Sequence, residues 1–147
     1  SHKIYTEKVR RLSFAEVVST DKYSKAIYDY DDMYDFIYLP LVQKQWLQYL
    51  SINEKIVQSN EMGVFVGFVP DEDYVVDEIL INKTAKIVYF DSKGNITENG
   101  IAGGGFAIFN LEPGALGVTI KAMESNRRSS KVVTIDTENL FVTLFSF

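Results

Sequence analysis

Hydrophobic and polar positions follow two rhythms along the chain, and the change falls near Asn60-Glu61-Met62-Gly63. Before it, Tyr23, Ala26, Ile27, Tyr30, Met33, Tyr34 and Ile37 recur at three- and four-residue intervals, the spacing of one helix face. Ser13-Phe14-Ala15-Glu16 matches a capping box, with Leu12 and Val17 placed as a hydrophobic staple. The pattern predicts a helix starting at Ser13, with Ser19-Thr20-Asp21 able to interrupt it and recap a second helix over 23–38. Leu39-Pro40 disfavours helix at the residue before proline. A further helix is expected from Leu41, with Val42, Trp46, Leu50 and Val57 facing inward.

After the boundary the period becomes two. Strands are expected over 63–69, 78–81, 85–90, 105–109, 117–122, 131–135 and 140–147, separated by turn residues such as Asp91-Ser92-Lys93-Gly94-Asn95 and Glu112-Pro113-Gly114. Seven short strands at this spacing suggest an antiparallel β-sandwich. All nine glycines lie from Gly63 onward, while seven of the nine tyrosines lie in residues 1–60. Glycine supplies the positive φ of turns and bulges, so its distribution supports a helical segment followed by strands. The expected class is α+β, with a helical segment over 1–60 and a β-sandwich domain over 61–147.

Residues 63–136 resemble the carboxypeptidase regulatory-like domains, which are prealbumin-like β-sandwiches. The resemblance rests on Gly104-Gly105-Phe106-Ala107-Ile108-Phe109-Asn110-Leu111-Glu112-Pro113-Gly114, followed by the alternating stretch Gly117–Ala122. It is extended by Ala85–Phe90 with Asp91-x-x-Gly94, and by the opening Gly63-Val64-Phe65-Val66-Gly67. In the strand itself, Phe106, Ile108 and Asn110 are expected on one face, and Ala107, Phe109 and Leu111 on the other. The resemblance implies a seven-stranded antiparallel sandwich and a non-catalytic binding or assembly role. It also implies an extracytoplasmic bacterial protein at the periplasm, cell surface or outside the cell.

Composition narrows the chemistry. The 147 residues carry 15 basic and 20 acidic side chains, a net charge of -5 that argues against nucleic acid as a partner. The absence of cysteine and the single histidine, His2, exclude thiol chemistry and most triads and transition-metal sites. No cofactor is expected. Gly103-Gly104-Gly105 leads into a strand, whereas a phosphate loop opens a helix. No run of 18 apolar residues is present, so no membrane span is expected.

Three clusters remain as candidate sites. Asp29, Asp31, Asp32 and Asp35 could give oxygen ligands to calcium, although their spacing departs from the EF-hand pattern; a solvated acidic helix face or an acidic loop is the commoner reading. Tyr30, Tyr34, Trp46 and Tyr49 could stack on a sugar or pack against a neighbouring element. Arg127-Arg128, at an expected hairpin tip, could meet an acidic partner or lie solvated. The partner is thus expected to be a protein, reached through aromatic faces or an open sheet edge, or a polysaccharide. Paired carboxylates could support glycoside hydrolysis, but no pair stands out. The apolar end 140–147, with Phe141, Phe145 and Phe147, must lie deep between sheets or be covered.

Overall fold

The computed structural model describes residues 5–10, 14–17, 24, 26–29, 36–100, 102–123 and 125–147. Its elements in chain order are β1 (Tyr5–Arg10), β2 (Phe14–Val17), β3 (Ala26–Asp29), β4 (Phe36–Leu41), α1 (Lys44–Asn53), β5 (Gly63–Phe68), β6 (Val76–Ile81), β7 (Lys86–Phe90), β8 (Ile96–Thr97), β9 (Gly105–Leu111), β10 (Gly114–Ala122), β11 (Arg128–Ile135) and β12 (Leu140–Leu144). A seven-stranded sheet runs in the order β2-β3-β12-β5-β9-β7-β8, and a three-stranded sheet in the order β11-β10-β6. The two share an apolar core, a sandwich-like arrangement. β1 and β4 form a separate antiparallel ribbon.

Three expectations are corrected. The described residues of 61–147 form eight strands, β5 to β12, because the short β8 (Ile96–Thr97) adds to the seven expected. The large sheet is mixed, because β12 runs parallel to both β3 and β5. The described parts of residues 5–41, Ser24 apart, are strands, where helices were expected. Phe14–Val17 pairs antiparallel with Ala26–Asp29, and that strand pairs with β12. Short apolar runs rich in Ile, Tyr and Phe satisfy either period, and a neighbouring strand that offers backbone bonds decides the outcome. Pro40 fits because β4 belongs to a two-stranded ribbon, where one side of each strand needs no ladder donor. The capping box at Ser13 lies partly outside the described residues; its Phe14-Ala15-Glu16 is strand.

The helix expected from Leu41 forms as α1. It ends earlier than its apolar spacing implied, because Lys55 takes a left-handed φ of 58°. The Ile56 N–H donates to the Ser51 carbonyl and the Lys55 N–H to the Ile52 carbonyl, the paired bonds of a Schellman stop. Val42, Trp46 and Leu50 are buried as expected, whereas Val57 lies past the stop and is 87% exposed.

The apolar residues divide into two layers. Phe65, Phe106, Ile108, Leu116, Val118, Ile120, Val133, Ile135, Phe141 and Phe145 fill the space between the two sheets. Val42, Trp46 and Leu50 of the α1 region pack with Val66, Phe68, Val88, Phe90, Ala107, Phe109, Leu140 and Val142 on the other face of the large sheet. β5, β9 and β12 are therefore buried on both faces, which is why they read as continuous apolar runs. The apolar end of the chain is accounted for in the same way, since β12 lies inside the large sheet.

The alternation expected along β9 breaks at Asn110. Between β5 and β9, Phe65 pairs with Ile108 and Gly63 with Leu111, so β9 holds one extra residue, and Asn110 has a φ of 54°. Leu111 consequently joins Phe106 and Ile108 in the inter-sheet core instead of following Ala107 and Phe109. The bulge also holds the loop after α1. Asn110 accepts from the Ser59 N–H at 2.8 Å and donates through Nδ2 to the Val57 carbonyl at 2.9 Å, while its own N–H donates to Gln58 Oε1 at 2.8 Å.

Candidate functional site

Trp46 is 4% exposed. Its ring stacks at 6.2 Å on Phe68 and meets Phe90 edge-on at 4.9 Å, and its Nε1 donates to the Gly94 carbonyl at 2.8 Å. Gly94 holds a φ of 84° in the turn that starts at Asp91. The indole thus ties α1 to that turn, and its faces are occupied by packing. Tyr49 is half-buried beside it, its hydroxyl accepting from the Ile96 N–H at 3.3 Å. Tyr30, Tyr34, Asp31, Asp32 and Asp35 lie outside the described residues. Asp29 ends β3, opposite Phe14 and Thr143. Among the described residues, no three of His, Asp and Glu converge on a point where a metal ion could sit. Arg127 and Arg128 are exposed, and the Arg127 guanidinium lies 5.1 Å from the centre of the Tyr74 ring.

One groove of about 470 Å³ lies between α1, the loop held by Asn110 and the residues leading into β12. Its walls include Lys44, Gln58, Asn60, Asp136 and Asn139. Asp136 caps its own loop by accepting from the N–H groups of Glu138 and Asn139 at 2.9 and 2.6 Å. These groups offer hydrogen bonds of both polarities at an open surface.

The three-stranded sheet presents a different surface. One face packs into the inter-sheet core through Leu116, Val118, Ile120, Val133 and Ile135. The other carries Ala115, Gly117, Thr119 and Lys121 from β10, Arg128, Ser130, Val132 and Thr134 from β11, and Glu78 and Leu80 from β6. No described element covers this face, and β6 and β11 each pair with β10 alone.

The rows across it are defined by register. Glu78, Lys121 and Arg128 form one row, and Leu80, Thr119 and Ser130 the next. Thr119 and Ser130 share a hydroxyl–hydroxyl bond of 2.8 Å. In the following row Gly117 is opposite Val132, and the Gly117 N–H donates to Asn82 Oδ1 at 3.0 Å. Val132 is 79% exposed and Leu80 is 44% exposed. Among the described residues Glu78, Lys121 and Arg128 form no ion pair. Two cations directly opposite each other on one face repel. The acidic end of β6 is also felt across the sandwich: the Tyr89 phenol is held above its usual range, first by burial and then by Asp77 and Glu78.

Of this surface, sequence reasoning singled out Arg128, one of the two hairpin arginines. The alternation of residues 117–122 and 131–135 contained the outward set, but small and hydroxylated side chains carry no chemical motif.

Comparison with family models, with curated proteins and with solved structures found no match to this chain.

Proposed function

We propose that this chain is a non-catalytic binding or assembly module of an extracytoplasmic bacterial protein. Its prealbumin-like sandwich would follow the carboxypeptidase regulatory-like pattern, and the bare face of its three-stranded sheet would meet a protein partner. The observation that carries the reading is the contrast between two sheets. The large sheet has apolar layers on both faces, whereas the small one has a face that no described element covers. Small residues run along the centre of that face, beside charges that form no ion pair among the described residues and two exposed aliphatic side chains. Low side-chain relief allows close approach of a second surface.

The test is a paired capture from an envelope extract, using the immobilised chain and its Val132→Glu variant. Val132 is exposed, so the variant keeps its fold. A protein retained by the native chain and lost from the variant is the expected result. Equal retention by both moves the contact off this face and overturns the reading.

A polysaccharide ligand has one observation in its favour, the groove lined by Gln58, Asn60, Asp136 and Asn139. Amides and carboxylates in an open cleft suit sugar hydroxyls. This reading expects oligosaccharide binding by calorimetry that Asn60→Ala weakens and Val132→Glu leaves unchanged.

A further inference from the structure

We propose that the partner of the bare face is a second copy of this chain. The two copies would pack face to face about a two-fold axis parallel to β10. This inference rests on the reading of that face as a binding surface, and it names the occupant.

The order of strands and charges carries the argument. β6 and β11 flank β10 symmetrically, and both run antiparallel to it. A two-fold axis along β10 therefore lays β6 of one copy over β11 of the other with strands aligned, as in aligned sheet packing. Each row then meets its own row reversed. Glu78 of one copy faces Arg128 of the other, and the exchange is repeated on the opposite edge. The same operation brings exposed Val132 diagonally next to Leu80 of the other copy, which covers two of the large aliphatic side chains exposed in the monomer. Gly117, Ala115 and Thr119 lie along the axis, where bulk would hold the sheets apart. Lys121 also lies on the axis and meets its own copy, a repulsion that each neighbouring Glu78 offsets only in part.

The area sets the strength. Three strands at about 4.8 Å spacing and nine residues at about 3.4 Å give roughly 400 Å² per copy. That is about half of what a standard stable interface contributes. The dimer is therefore weak and in rapid exchange, and salt weakens it further by screening the exposed charge pairs.

Sedimentation equilibrium from about 1 μM to about 1 mM tests this directly. The native chain is expected to shift from monomer to dimer across that range. Glu78→Arg and Arg128→Glu should each weaken the dimer about tenfold or more, and the double swap should recover most of the loss. Lys121→Thr should tighten it, because the like charges on the axis are removed; a merely structural role for Lys121 predicts no tightening. The chain lacks cysteine, so Thr119→Cys offers a single thiol. A short bis-maleimide should join Thr119→Cys chains into a covalent dimer but not Lys93→Cys chains, which carry the thiol on a distant turn. A chain that stays monomeric throughout overturns the inference, as does a dimer indifferent to the charge swaps. In either case, loss of another captured protein on Val132→Glu would leave the binding-face reading standing.

Discussion

The two sheets of this protein use the same backbone pattern to opposite ends. In the large sheet, β5, β9 and β12 lie between two apolar layers. In the small sheet, β10 and β11 alternate buried and outward residues, and the outward set, Val132 apart, is small, hydroxylated or charged. The difference teaches where this chain keeps its stability and where it keeps a surface to offer. A fully buried Phe or Leu contributes about 1.5–3 kcal/mol through removal from water, so substitutions in the covered strands are costly. On the bare face, substitutions at exposed positions should alter monomer stability little.

Trp46→Ala should show the largest effect that separates the two regions. It removes the ring that joins α1 to Phe68, Phe90 and the Gly94 carbonyl, and should cost about 3–5 kcal/mol by urea unfolding. Trp46→Phe keeps most of the packing but strands the buried Gly94 carbonyl, for about 1–3 kcal/mol.

Gly105→Ala comes next, at about 3 kcal/mol. An added Cβ would collide with the Gly67 carbonyl oxygen and lie 2.7 Å from the Phe90 ring, so the β5–β9 pairing must shift. An Ala variant as stable as the native chain would mean that the large sheet is looser than its packing indicates.

Thr143→Val has the opposite sign. Thr143 is fully buried in β12, and among the described residues its hydroxyl has no hydrogen-bond partner. Replacing that hydroxyl by a methyl should raise stability by about 1 kcal/mol, read as a higher denaturant midpoint.

Tyr89 links the two sheets through pH. Its phenol titrates above the usual range in the folded state, so near and above about pH 10 the unfolded chain loses this proton first. The unfolded state then binds fewer protons, and stability falls as pH rises through that window until the folded phenol also ionises. Tyr89→Phe should flatten this alkaline loss in unfolding curves. Asp77→Asn with Glu78→Gln should move the phenol part of the way back, seen by ultraviolet titration. The main part of the shift, due to burial, should remain.

Val132→Thr on the bare face should change monomer stability by no more than about 0.5 kcal/mol. A loss of several kcal/mol would show that this face is packed in solution, and would erase the contrast between the sheets.

Much of the strand order after Gly63 was legible. Apolar runs gave the positions of β5, β9 and β12, strict alternation marked β10, and the Asp91–Asn95 turn declared itself through Asp and Gly. That turn forms with Asp91 Oδ1 accepting from the Lys93 and Asn95 N–H groups at 2.9 and 3.0 Å. The candidate site was far less legible. Arg128 stood out as a charge, but Glu78 acquires meaning only through its register with Lys121, which lies 43 positions away in the chain. Asn110 looked like an ordinary member of an alternating strand until its partner on β5 left it unpaired.

By itself, the sequence determined the small-residue turns, the helix around Trp46 and the period-two strands, because each of these follows from local geometry and side-chain size. Tertiary structure alone decided that Phe14–Val17 and Ala26–Asp29 are strands, that β12 runs parallel to its neighbours, and that no described element covers one face of the small sheet. The physical reason is shared by all three. A short apolar segment with mixed periodicity takes the conformation whose backbone bonds a distant strand can complete, and spacing along the chain carries no record of which strand that will be.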